Sequence, residues 1–192
     1  MLEKLRKAMK TADIDMLLIP SADPHGSEYP EEYFKARKHF SGFTGSAGTL
    51  LIWQGGAGLW TDGRYFIQAE RQLEGSGIDL FKMREPGVPT VDEFIAENIK
   101  GGVLGADLRT ISASEGMELE KGGAILKDCR SLIDGCWEGR PELSREPAYV
   151  LPMELAGVSS SDKLGAVRAE MARCDVNACI FTDLADIAWL FN

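Results

Sequence analysis

The stretch 47–69, "AGTLLIWQGGAGLWTDGRYFIQA", decides the fold. Two short apolar runs, 47–53 and 57–61, flank "QGG", which has the composition of a hairpin turn. Asp62 and Gly63 close the second run with another turn. From Phe66 the period changes: Phe66, Ala69 and Leu73 follow helical spacing until "GSG" at 75–77 stops them. An antiparallel pair that feeds directly into a helix puts a hairpin inside an α/β domain.

The flanking sequence agrees. Leu2, Leu5, Met9 and Ala12 form a helical stripe, and "IDMLLIP" (14–20) reads as a strand buried on both faces. "EEYFKARKHF" (31–40) reads as helix, and "IDLFKM" (78–83), "GVLGAD" (102–107) and "AILKDC" (124–129) read as strands. Between them lie helices over 90–99 and 112–121. Each opens with a capping-box pair, Thr90 with Glu93 and Ser112 with Glu115. Strands separated by helices, plus one hairpin, predict an α/β fold with a mixed sheet flanked by helices over residues 1–140.

Between 141 and 160 prolines and small residues predict a linker. Beyond it, "LGAVRAEMARCDVNACIF" (164–181) aligns without gaps to "LEKLRKAMKTADIDMLLI" (2–19) at an offset of 162. Leu2, Arg6, Met9 and Asp13 recur as Leu164, Arg168, Met171 and Asp175. The match predicts that 161–192 opens a second domain of similar design, with a strand at 176–181. A strand without a sheet leaves its backbone unsatisfied, so this second domain reads as truncated. The exposed strand would invite pairing between two copies of the chain, a homodimer.

Composition excludes several classes. Net charge is −9 with scattered basic residues, which argues against a nucleic-acid partner. No apolar run approaches the roughly 20 residues of a membrane span, and "MLEKLRKAMK" lacks the apolar core of a signal peptide. The four cysteines form no C-x-x-C pair, and a cytoplasmic protein with free thiols is expected. There are two histidines, His25 and His39, and no H-E-x-x-H or EF-hand loop, so no metal site is read in the chain. "TGSAG" (44–48) lacks the first glycine of a nucleophile elbow. "GFTGSAG" lacks the Gly-Lys-Ser/Thr of a phosphate loop and leads into a strand.

Arg64 is the residue left over. With Asp62 as helix N-cap, Arg64 would sit in the first turn, where a cation opposes the macrodipole at a cost of about 0.3–1 kcal/mol. It is either a surface arginine, solvated or paired to Asp62, or it faces an anionic or carbonyl group.

"SADPHGSEYPE", "RKHFSGFTGSAGTLLI", "LWTDGRYFIQAERQL", "LIDGCWEGRP" and "TDLADIAWLFN" together resemble, in order, the N-terminal half of Xaa-Pro aminopeptidases, in the creatinase/prolidase superfamily. The resemblance runs over essentially the whole chain. It implies two related α/β domains ahead of a catalytic domain that holds two divalent metal ions, commonly manganese. That third domain carries all the metal ligands, so the chain itself is expected to hold no catalytic residue and to be inactive alone. The implied parent removes the residue before proline from the N-terminus of a proline-containing peptide. The arginine of W-T-D-G-R binds substrate in this family, which assigns that role to Arg64. His25 and Glu28 match the D-x-H-x-S-E-Y stretch and are candidates for the same mouth, with local hydrogen bonding as the alternative. Pro24 departs from the small residue usual there and stiffens the loop. A free-standing peptide- or protein-binding module of the same fold is the second reading. A creatinase-like amidinohydrolase parent is the third, and "WTDGRYF" argues against it.

Overall fold

β1 (Met16–Pro20) is buried along nearly its whole length, and the rest of the sheet is built outward from it. The computed structural model describes residues 1–192. They divide into one unit of Met1–Pro24 with Glu28–Leu143 and another of His25–Ser27 with Ser144–Asn192.

The first unit carries a six-stranded sheet in the order β4-β3-β2-β1-β5-β6. Its other strands are β2 (Thr49–Trp53), β3 (Gly56–Thr61), β4 (Asp79–Lys82), β5 (Val103–Ala106) and β6 (Ile125–Asp128). β2 runs antiparallel to both neighbours, pairing Leu18 with Leu51 on one side and Leu51 with Gly58 on the other. β3–β4, β1–β5 and β5–β6 are parallel pairs. All strands but β2 therefore point the same way, and their carboxyl ends share one edge. The hairpin at 49–61 makes the sheet mixed, as its sequence predicts.

Alternation along the strands sorts the core into two layers. Leu17, Ile19, Leu50, Ile52 and Leu59 face one side and pack with Leu5 and Met9 of α1 (Leu2–Thr11) and Ile133 of α6 (Arg130–Cys136). α2 (Ala36–Ser41) and α3 (Phe66–Leu73) cover the same side through Phe40 and Ala69. Met16, Leu18, Leu51, Trp60 and Leu104 face the other side. They meet Ile95 and Ile99 of α4 (Val91–Ile99) and Leu119 of α5 (Ala113–Lys121). Trp60 is fully buried, stacks on Phe81 at 3.9 Å, and donates its indole N–H to the Pro89 carbonyl at 2.8 Å. Both capping boxes form as read, at Thr90 and Ser112.

The helix expected over 31–40 is broken. Glu32–Phe34 is a 3-10 turn and α2 starts at Ala36. Arg140 accounts for the break. Its guanidinium lies 3.6 Å over the Tyr33 ring and takes the Tyr33 carbonyl through Nε at 2.9 Å and Nη2 at 2.7 Å. That carbonyl is turned to a partner far along the chain, which helical spacing cannot reveal.

The second unit holds α7 (Met153–Ala156), α8 (Ser160–Arg173) and α9 (Leu184–Phe191). Ser159 caps α8 and Asp183 caps α9. Lys163 is buried and donates to the Trp189 carbonyl and to Asn192 Oδ1, each at 2.6 Å, clasping the end of α9. The strand expected at 176–181 does not form: the segment has no ladder partner, and Ile180 is 87% exposed. Apolar pattern specifies a strand only where a neighbouring strand takes its hydrogen bonds.

The 162-residue offset nevertheless has a structural counterpart. Two residues past α1, Asp13 takes φ 51°, and Ile14 N–H bonds to the Met9 carbonyl at 2.9 Å. Two residues past α8, Asp175 takes φ 53°, and Val176 N–H bonds to the Met171 carbonyl at 2.9 Å. Aspartate tolerates the left-handed conformation better than most residues, so one helix stop is written twice.

Candidate functional site

At the carboxyl edge of the sheet, the loop 42–48 connects α2 to β2, and its backbone is pinned from four directions. From α2, buried Arg37 donates through Nη1 to the Phe43 carbonyl at 2.6 Å, through Nη2 to the Gly45 carbonyl, and through Nε to Ser21 Oγ at 2.9 Å. From the end of β1, Ser21 donates N–H and Oγ–H to the Gly48 carbonyl at 3.1 and 2.7 Å. From β3, buried Thr61 donates to the Ala47 carbonyl at 2.7 Å. From α3, Gln68 and Gln72 both donate to Thr44 Oγ1 at 2.9 Å, and Gln72 accepts Thr44 N–H at 2.9 Å. Gly42 ends α2 at φ 73°, where a side chain is strained. At Gly45 a Cβ would fall 2.3 Å from the Phe43 ring and 2.8 Å from Tyr65. The glycines thus serve close packing and a turn. They build neither a nucleophile elbow nor a phosphate loop.

The pinned loop abuts Tyr65, whose hydroxyl shares a 2.7 Å hydrogen bond with Ser46 Oγ and whose ring meets Phe43 edge-on at 5.9 Å. Tyr65 directly follows Arg64. Asp62 does not N-cap the helix. α3 begins at Phe66 after Tyr65, and Arg64 lies in the preceding turn. There Asp62 Oδ1 accepts Arg64 N–H at 3.0 Å and Nε–H at 2.9 Å, while Oδ2 accepts Nη2–H at 2.8 Å. The dipole cost anticipated for a first-turn cation does not apply, because Arg64 precedes the first turn. The Arg64 hydrogen bonds hold the Asp62 carboxyl below the ordinary aspartate range, and Asp62 keeps the guanidinium charged. The Arg64 side chain remains 69% exposed.

A related Asp–Arg pairing occurs two more times, a repetition the sequence displays as Asp-x-Arg. Arg109 donates N–H and Nε–H to Asp107 Oδ1 at 3.1 and 3.0 Å, and Nη2–H to Oδ2 at 2.7 Å. Arg130 donates Nε–H to Asp128 Oδ2 at 2.6 Å. The three pairs stand at the carboxyl ends of β3, β5 and β6, all on one edge. They differ in exposure. Arg109 lies 5.5 Å from the Tyr33 ring centre and 5.2 Å from that of Phe34, with its side chain 29% exposed. Of the three, Arg64 has the most exposed side chain.

Glu28 and Arg64 belong to the same unit and are close enough to interact electrostatically. Glu28 also accepts a hydrogen bond from Tyr29, which raises the Tyr29 phenol. His25 groups with the second unit, where Nδ1 lies 3.1 Å from the Thr182 carbonyl. A carbonyl only accepts, so Nδ1 carries a proton and donates it there. The crevice between β1 and β5, where the strand order reverses and open α/β sheets usually bind ligands, is filled by Phe34, Ile133 and Arg140, leaving about 10 Å³.

No three His, Cys, Asp or Glu side chains converge into a set able to hold a metal ion. No helix is long and apolar enough to cross a membrane.

The family model described as the creatinase/prolidase N-terminal domain matches residues 1–136, and a second model of the same description matches 139–192. A probable Xaa-Pro aminopeptidase P of Coccidioides posadasii is 40% identical over 198 residues, covering 100% of this chain and 32% of its own length. Aminopeptidase P1 of Lotus japonicus is 38% identical, covering 96% of this chain and 29% of its own. The crystal structure of X-prolyl aminopeptidase from Caenorhabditis elegans, described as a cytosolic enzyme with a di-nuclear active site, superposes with a TM-score of 0.85. It is 32% identical, covering 98% of this chain and 34% of that one. The chain spans about a third of the length of the relatives it matches.

Proposed function

Because the chain belongs to the creatinase/prolidase N-terminal domain family and corresponds to the N-terminal part of Xaa-Pro aminopeptidase-like proteins, we propose that it is the non-catalytic, substrate-orienting part of such an enzyme. The longer protein hydrolyses the peptide bond before a proline at the second position of a peptide. Residues 1–140 form the first domain, 141–160 the linker, and 161–192 the opening of a second. The observation that carries this reading is the turn at Asp62–Arg64: a guanidinium fixed by its own carboxylate at a strand end, yet largely exposed.

Chemically, such a group binds and orients. Arg64 donates to a peptide carbonyl or carboxylate with planar geometry. Asp62 holds the fork in place beforehand, which lowers the ordering cost of that contact. Glu28, in the same unit, offers an acceptor beside it. The metal ions of such an enzyme, commonly manganese, supply a nucleophilic hydroxide when bound. The residues of this chain converge on no ligand set that would hold those ions. We carry the cytoplasmic location and homodimer as parts of the same reading. The dimer would cover the exposed apolar residues Ile180, Trp189 and Phe191.

The test is an assay of Xaa-Pro-Yaa hydrolysis with manganese, on the 192-residue chain and on the longer protein that carries it. Activity confined to the longer protein is expected. Proline-specific release by the chain alone, or none by the longer protein, would refute the proposal.

A further inference from the structure

Beside the Arg64 turn lies a cavity of about 150 Å³ that no role has yet been given. Its walls come from Ser21 just after β1, from Glu28 and Tyr29, from Lys35 at the start of α2 with Arg37 and Lys38 on it, and from Thr44–Ser46. All of these belong to the first unit. A dry cavity of similar size can hold a benzene-sized molecule, so a carboxylate group on a short stem fits.

Arg37 is what makes the cavity unusual. It is 6% exposed, yet the carboxylates of Glu28 and Glu32 are engaged by other groups. Its partners are a hydroxyl and two carbonyls, all neutral. A guanidinium has more N–H donors than these three bonds use. A buried charge without a counter-ion is costly, and burial pushes the Arg37 guanidinium down to about 10, still protonated at neutral pH. Lys35 and Lys38 add two cations to the wall, both shared with Glu32. Glu28 is the acidic residue of the wall and is engaged by Tyr29. Counting Glu32 as well, three cations face two carboxylates, and the buried cation has neither as a partner. Pinning the loop explains the three hydrogen bonds of Arg37. It does not require a charge, since neutral donors could make them.

We propose that this cavity is a binding site for a carboxylate carried by a peptide, either its C-terminus or an acidic side chain. Arg37 supplies the buried charge, Lys38 and Lys35 the rim, and Ser46 a hydroxyl donor. The site is separate from Arg64 but is joined to it through the hydrogen bond between Ser46 and Tyr65. It is tested on the 192-residue chain, so its outcome is independent of whether the longer protein is a peptidase.

The experiment is a ¹H–¹⁵N titration of the chain that follows the Gly45 and Ser46 amides. Three peptides serve as probes: acetyl-Ala-Ala-Ala with a free C-terminus, its C-terminal amide, and acetyl-Ala-Asp-Ala amide. Saturable shifts with a carboxylate peptide, at an affinity about tenfold or more above that of the neutral amide, are expected. Whichever carboxylate peptide binds tighter identifies the source. Lys35→Gln with Lys38→Gln, at partly exposed positions that leave Arg37 in place, should weaken binding several-fold without altering the rest of the spectrum. Equal response to the neutral amide, no saturable shift with either carboxylate, or no effect of the paired substitution would overturn the proposal.

Discussion

Asp62 grips Arg64 by backbone and side chain at once, with Oδ1 accepting N–H at 3.0 Å and Nε–H at 2.9 Å and Oδ2 accepting Nη2–H at 2.8 Å. An exposed ion pair between long, mobile side chains contributes little to stability. Here the carboxylate is two residues away on a strand end, so its effect is on direction more than on stability. Asp62→Ala should leave the unfolding midpoint nearly unchanged while increasing the mobility of the Arg64 Nε–H group in NMR relaxation. A large loss of stability, or an unchanged order parameter, would contradict this.

Gly45 has no room for a methyl group beside Phe43 and Tyr65. Gly45→Ala should destabilise the first domain by about 1–3 kcal/mol through overpacking. The measurement is urea denaturation with an unchanged slope. A neutral result would mean that the loop yields, and that Arg37 and the α3 glutamines do not hold it as tightly as their bonds imply.

The thiols should divide by burial. Cys129 and Cys136 are buried, and burial raises both thiols; Cys174 and Cys179 are exposed. A thiol reagent at neutral pH should modify Cys174 and Cys179 rapidly and the other pair only on unfolding. Fast labelling of Cys129 in the folded chain would show that the α6 side of the core opens readily.

His39 is stacked on Trp137 at 4.4 Å, and burial lowers its pKa. The unfolded chain therefore binds a proton that the folded chain resists. The His39 contribution is fully present above the ordinary histidine value of about 6.5 and is lost as pH falls from there through the lowered folded value. Asp62, Glu93 and Asp128, also lowered, act in the more acidic carboxylate range. His39→Gln should flatten stability just below about pH 6.5 and leave the more acidic carboxylate limb intact. Parallel curves for the two proteins would exclude the assignment.

Much of this architecture is legible in local pattern. The hairpin at 49–61, both capping boxes and the fully apolar β1 each depend on residues within one element, and each forms as read. What failed depended on distant partners. Arg140 breaks the helix expected over 31–40 by taking the Tyr33 carbonyl, 107 residues away. The strand expected at 176–181 lacks a neighbour to complete it. Arg64 could be singled out by resemblance, but its turn could not be told from a helix start, because Asp-Gly serves both. The three Asp-x-Arg stretches carried the missing signal: the same short spacing at three strand ends implies a shared local pairing of carboxylate and guanidinium.

That repetition also provides the control for the central claim, that Arg64 contacts the peptide substrate of the longer protein. Arg130 makes a similar turn with Asp128 at another strand end, so its loss mimics the structural part of losing Arg64. The deciding measurement is kcat/KM on an Xaa-Pro-Yaa peptide for Arg64→Ala beside Arg130→Ala, both checked for folding. Losing one charge-assisted hydrogen bond in the transition state is worth about 1.5–3 kcal/mol, or roughly 10- to 150-fold. The account predicts that loss for Arg64→Ala and a near-normal value for Arg130→Ala. Equal kinetics in the two folded variants would contradict it.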